Sequence, residues 1–118
     1  MQRGDVDAGG VVPLAPEVLQ EAAGLFGLLS SAARLQIVWM LASGEQDVGA
    51  LADQLGMALP AVSRHLTKLK LARVVTARRD GRRQVYALED SQVGDAVRAV
   101  VAGLSAPVPA PARRRPAR

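Results

Sequence analysis

Apolar residues recur at helical spacing along most of this chain. After Pro16, the residues Val18, Leu19, Ala22, Leu25, Phe26 and Leu29 fall three or four positions apart, which predicts a first amphipathic helix. Ser30 or Ser31 is placed to cap a second, whose apolar set is Leu35, Val38, Trp39 and Leu41 and which Gly44 closes. Asp47 or Gly49 opens a short third helix over Ala50 to Leu55, and Gly56 stops it. A fourth begins near Leu59, with Pro60 in its first turn where a missing N–H costs nothing, and runs to about Leu71. Only a three- or four-residue turn containing glycine separates the third helix from the fourth, which is the spacing of a helix-turn-helix.

Past Arg73 the period changes. Val74, Val75, Thr76 and Ala77 on one side, and Gln84, Val85, Tyr86, Ala87 and Leu88 on the other, are β-prone runs flanking Arg78, Arg79, Asp80, Gly81, Arg82 and Arg83. Asp80-Gly81 between them signals a two-residue hairpin, because both central residues of a type I′ turn need positive φ. Asp90 or Ser91 can cap a last helix holding Val93, Ala96, Val97, Val100, Val101 and Leu104, whose apolar face is broad for an isolated surface helix. The expected fold is mainly α with a small β-hairpin: a winged helix-turn-helix of four helices, the hairpin and a fifth helix, over residues 15–105. Residues 1–14, with Gly4, Gly9, Gly10 and Pro13, read as a flexible arm. Residues 106–118, with Pro107, Pro109, Pro111 and Pro116 among alanine and arginine, read as a disordered tail that is either inert or adds nonspecific phosphate affinity.

Composition narrows the function. A chain of 118 residues, 49% of them apolar, is about one domain's worth. It has no cysteine and a single histidine, which removes disulfides, cysteine-based zinc sites, thiol catalysis and most His-rich metal sites. No nucleophile with its base, pocket-forming carboxylate pair or Gly-rich phosphate loop can be assembled, so the chain does not read as an enzyme. Apolar runs fall short of the roughly 18 residues a membrane span needs, and the acidic start is unlike a signal peptide. The expected location is therefore cytoplasmic, with no membrane partner.

A net charge of +4 is modest, but its placement is not. Between Ala58 and Gln84 stand eight basic residues (Arg64, Lys68, Lys70, Arg73, Arg78, Arg79, Arg82 and Arg83) against one acid, Asp80; Arg113, Arg114, Arg115 and Arg118 follow in the tail. Positive charge gathered on one element is the footprint of a polyanion binder. On the fourth helix, Leu66 and Leu69 lie within about 40° of Val62, and all three face the core. Pro60, Arg64, Thr67 and Lys68 then cluster opposite, with Ala61 and Ser63 at the edges. Such a helix can enter the major groove, with Arg64 reaching bases or phosphate, Ser63 and Thr67 donating to phosphate and Lys68 acting as a point charge. His65 lies on the flank of the core stripe. It reads as a boundary residue bonded within the domain or to phosphate, rather than a metal ligand or base. Arg78, Arg79, Arg82 and Arg83 on the hairpin suit phosphate and the narrow minor groove, Arg82 and Arg83 above all. A protein-interaction adaptor meeting an acidic partner is the alternative reading of the same face.

With these residues in view, Leu29 to Val38, Val48 to Gly56, Ala61 to Leu69 and Arg79 to Leu88 resemble, in that order, the ArsR/SmtB family of bacterial winged-helix transcription regulators. The resemblance implies a homodimer built on the first and last helices, a recognition helix carrying Ser63, Arg64 and His65, and operator binding released by an inducer, most often a metal ion. The interface residues would be Val18, Leu19, Ala22, Leu25 and Phe26 with Val93, Ala96, Val97, Val100, Val101 and Leu104. Burial argues for pairing too, since a short domain with so apolar a last helix leaves surface that a symmetric partner hides.

The metal expectation weakens when carried over residue by residue. In the nickel/cobalt- and zinc-sensing members that the segment Leu88 to Val93 resembles, an acid and histidines line the last helix. Here Asp90 holds the acid position, but Gln92, Gly103 and Ala106 stand where histidines would be expected. An amide and one carboxylate suit nickel, cobalt or zinc poorly. No cofactor is expected, and the signal is expected from a non-metal ligand or a separate sensor protein docking on the dimer.

Overall fold

The computed structural model describes residues 11–105. The expected tail and residues 1–10 of the expected arm lie outside the described residues; residues 11–15 carry no regular element. Helix α1 (Pro16–Leu29) starts on its proline and has Glu17 in its first turn, where an acid favours the helix dipole. Ser30 closes it, donating from Oγ to the Gly27 carbonyl at 2.7 Å. Ser31 caps α2 (Ala32–Leu41), its Oγ accepting from the Arg34 N–H at 3.3 Å. Of the two serines offered by the sequence, each thus serves a different helix.

Asp47 caps α3 (Val48–Leu55), accepting from the Ala50 N–H at 2.7 Å, and Gly56 ends it in the left-handed region that glycine enters without strain. Helix α4 (Leu59–Leu71) ends differently. Arg73 N–H bonds the Lys70 carbonyl and Val74 N–H bonds the Leu69 carbonyl, a Schellman arrangement in which Arg73 sits at φ +63° where glycine is usual. This tight reversal turns the chain directly into the sheet, and Val74 and Leu69 at its two ends are both buried.

The sheet has one strand more than expected. Strand β1 (Gln46–Asp47) lies between α2 and α3 and pairs antiparallel with β3 (Arg83–Leu88), which pairs on its other edge with β2 (Val75–Asp80). Two residues carry too little period to announce a strand, and β1 forms because the α2–α3 link runs beside an otherwise open edge. The hairpin turn also differs. Asp80 pairs with Arg83, so the loop residues are Gly81 and Arg82, not Asp80 and Gly81. Only Gly81 has positive φ, +65°, as the first loop position of a II′-type turn requires.

Helix α5 (Ser91–Ser105) is capped by Asp90, whose Oδ1 accepts from the Gln92 and Val93 N–H groups at 3.0 and 3.3 Å. It packs across α2, and Arg98 donates to the carbonyl of Ala42 at that helix's end. The core gathers Ile37, Val38 and Leu41 of α2, Leu51 of α3, Val62, Leu66 and Leu69 of α4, Val74 and Val75 ahead of the wing, and Val93 and Val97 of α5. No polar residue is buried among the described residues. Helix α1 contributes no fully buried residue.

Candidate nucleic-acid interface

Burial of Val62, Leu66 and Leu69 fixes the rotation of α4. With that stripe inward, Pro60, Arg64, Thr67 and Lys68 are exposed, and Ala61, Ser63 and His65 are half-buried at the margins. The thirteen-residue helix carries no acid, so its outer face is positive from Arg64 through Lys68 to Lys70. One expected donor is otherwise engaged: the Thr67 hydroxyl donates to the Ser63 carbonyl at 2.9 Å, turning its proton back onto the helix instead of outward.

His65 is held from inside. The Arg34 guanidinium donates from Nε to the Leu28 carbonyl at 2.7 Å and from Nη1 to His65 Nδ1 at 3.2 Å. Arginine has no acceptor, so Nδ1 is the acceptor and the neutral ring carries its proton on Nε2. Burial is the main cause that lowers the His65 pKa below its usual 6.5, and the charges of Arg34, Lys68 and Arg64 add to it. Arg34 thereby ties the end of α1, the start of α2 and α4 together. The sequence reading did not single it out for this; an arginine just past a helix cap gives no local sign of a partner 31 positions away.

The four wing arginines divide into two pairs. In the register of the hairpin, Arg78 and Arg83 project on one face of the sheet and Arg79 on the other, while Arg82 sits in the loop. Arg83 Nε donates to Asp47 Oδ2 at 2.9 Å. Arg78 bonds Glu45 and lies 3.9 Å from Asp80. Among the described residues, Arg79 and Arg82 have no ionic partner. The reading that grouped Arg82 with Arg83 therefore joins two residues in different electrostatic states.

Elsewhere, α1 and α5 present a large apolar surface. Val18, Leu19 and Phe26 of α1 are exposed, as are Ala96, Val100 and Leu104 of α5; Phe26 is 69% and Leu104 83% accessible. Ala22, Leu25 and Val101 are half-buried. A groove of about 330 Å³ runs between α1, α2 and α5, lined by Phe26, Leu29, Leu35, Val100 and Leu104 among others. Val93 and Val97, expected at the interface, are buried in the protomer's own core, and Val97 also lines the groove.

Asp90, at the acid position of the resembled metal-sensing pattern, is engaged at Oδ1 as a helix cap. Asp90 directs its carboxylate at the backbone of its own helix, and no group of three His, Cys, Asp or Glu side chains comes together among the described residues. No single helix among them is long and apolar enough to cross a membrane.

Comparison with known proteins places this architecture. The family described as "Bacterial regulatory protein, arsR family" matches residues 31–77, from the cap of α2 to the start of the wing. The nodulation protein NolR of Rhizobium meliloti is 36% identical over 96 residues, covering 79% of this chain and 75% of that protein. The HTH-type transcriptional regulator KmtR of Mycobacterium tuberculosis is 46% identical over 69 residues, 58% of this chain, and the match spans only 53% of KmtR's length. Among solved structures, the homodimeric winged helix-turn-helix DNA-binding domain from Mycobacterium bovis superposes with a TM-score of 0.69 at 33% identity, covering 82% of this chain and 90% of that one. Fold, order of elements and sequence agree: this chain belongs to the ArsR/SmtB family of bacterial winged helix-turn-helix transcriptional regulators, which are not enzymes.

Proposed function

We propose that this chain binds an inverted-repeat operator in duplex DNA as a homodimer, with α4 of each protomer in the major groove and each wing beside it, and represses transcription by covering the promoter. The observation that carries this reading is the orientation of α4. Its apolar stripe is wholly consumed by the core, leaving Arg64 and Lys68 on an acid-free outer face. Arg64 is then placed to read a base edge or clamp a phosphate, Lys68 to supply a point charge and Ser63 to add a polar contact at the margin. Symmetry presents the two helices to successive major grooves, roughly 34 Å apart.

Pairing through α1 and α5 is supported by the surface those helices leave uncovered, too extensive for a chain of this size to expose without use. The M. bovis domain is homodimeric by its description. A releasing signal from a non-metal ligand or a docking protein is supported by Gln92 standing where a histidine ligand would be expected, beside an Asp90 whose Oδ1 caps α5. A competition assay tests the central reading: selection of genomic fragments on the purified protein, followed by anisotropy against random duplex. Fragment preference that rises with salt, and that Arg64→Ala relaxes, is the expected result. A protein that ignores DNA but captures an acidic protein would instead be an adaptor.

A further inference from the structure

Resting on that reading, we infer that Asp47 withholds Arg83 from DNA: it is a positioning residue that masks one wing charge and leaves Arg79 and Arg82 as the wing's phosphate contacts. Three observations converge. First, the sheet builds the pair. Asp47 lies opposite Val85, so Arg83 is its diagonal neighbour on the same face, within reach of a long side chain. Second, the carboxylate is already immobilised before Arg83 meets it. Oδ1 is fixed by the Ala50 N–H at the α3 cap, and Oδ2 is left aimed at Arg83 Nε at 2.9 Å. An exposed ion pair is usually weak because two flexible side chains must be ordered; here only one is. Third, Asp47 is the less accessible partner, with 24% of its side chain accessible against 59% for Arg83. The Ala50 N–H and then Arg83 hold its pKa below the usual carboxylate range.

A phosphate approaching Arg83 must displace a carboxylate that costs nothing further to order. The outer N–H groups of Arg83 can still touch DNA, but a charge already compensated releases no net counterion. The salt dependence of binding therefore separates masked from unmasked arginines, where affinity alone would not. One phosphate contact contributes about 0.9 to the slope of log K against log salt.

The test is a cycle of slopes on a fluorescein-labelled duplex of random sequence, measured by anisotropy from low to moderate salt. Arg82→Ala is expected to flatten the slope by about 0.9, and Arg83→Ala to leave it near the native value. Asp47→Ser keeps the α3 cap, because serine caps as well as aspartate, and is expected to steepen the slope by about 0.9. In the Asp47→Ser background, Arg83→Ala should then flatten it by the same amount. A thermal melt confirms that each variant is folded. Equal flattening by Arg82→Ala and Arg83→Ala in the native background, or additive effects of the Asp47 and Arg83 changes, overturns the masking while leaving DNA binding intact. A native protein that does not bind the duplex at low salt overturns the proposed function and this inference together.

Discussion

Replacing Arg34 by methionine removes two hydrogen bonds at once while keeping an apolar stem of similar length. The lost contacts are those to the Leu28 carbonyl, at 2.7 Å, and to His65 Nδ1, at 3.2 Å. Bonds from a charged donor are each worth about 1.5–3 kcal/mol. The second is long, and both sites are only part-buried, so water can replace some of what is lost; about 2 kcal/mol is expected at pH 7.5. With a urea slope of about 1–2 kcal/mol per molar, the unfolding midpoint should fall by about 1–2 M. The pH dependence is more telling. Burial and three nearby cations lower the folded-state pKa of His65 below its usual 6.5, so the unfolded chain binds the proton more readily. Native stability is therefore full above about 6.5 and falls as pH drops towards the folded pKa. Protonation also removes the acceptor that Arg34 uses, so the penalty for Arg34→Met should shrink between pH 7.5 and 5.5. His65 is the only histidine, and its ring protons can be followed through a titration without assignment. In the variant its pKa should rise yet stay below 6.5, because burial outweighs the arginine. A native His65 that titrates at or above 6.5, or a penalty equal at both pH values, would refute the reasoning.

Other outcomes follow from the same geometry. Val100→Glu should convert dimers to monomers in sedimentation velocity and weaken operator binding, with the melting temperature of the protomer little changed; Val97→Glu should unfold the chain instead, because Val97 is only 5% accessible. Arg73→Gly should raise the urea-derived stability by about 0.5–1 kcal/mol, the left-handed strain of a side chain less the added freedom of glycine when unfolded, whereas Arg73→Val should lower it. Calorimetry with nickel, cobalt or zinc should show no submicromolar site that depends on Asp90, and Asp90→Ala should cost about 1 kcal/mol of stability as a lost cap.

Most helices were legible in the sequence because they combine a 3.6-residue apolar period with a chemical stop; α2, apolar nearly all round, hid its inward face, which is Ile37, Val38 and Leu41 with Leu35 and Trp39 left exposed. Asp47 before α3 and Gly56 after it, Pro60 in the first turn of α4, and Asp90 before α5 are local signals, each acting within about one turn of its own helix. What could not be read was anything whose partner is remote. Strand β1 is two residues long and exists only because β3 has a free edge beside it. The hairpin register turned on a one-residue choice between Asp80-Gly81 and Gly81-Arg82. The two loops need the same glycine, and strand pairing at Arg79–Gln84 and Asp80–Arg83 decided between them.

The candidate site shows the same division, with a consequence for how charge is weighed. Counting basic residues between Ala58 and Gln84 points to α4 and the wing, yet the count treats every arginine as available. Glu45 and Asp47 stand outside that window, on the far side of α3 in sequence, and the sheet carries them onto Arg78 and Arg83. The effective charge of the wing is then smaller than its composition, whereas α4, with no acid near Arg64 or Lys68 in sequence and no ion pair at either among the described residues, keeps all of its own. If DNA binding followed composition, the wing with four arginines would dominate the salt dependence over the helix. If it follows the pairs that the fold makes, Arg64 and Lys68 together should weigh as much as the whole wing. Comparing Arg64→Ala/Lys68→Ala with replacement of all four wing arginines, Arg78, Arg79, Arg82 and Arg83, by alanine on random duplex distinguishes the two: each should flatten the slope by about 1.8, and a wing effect of about 3.6, twice that of the helix, would favour composition.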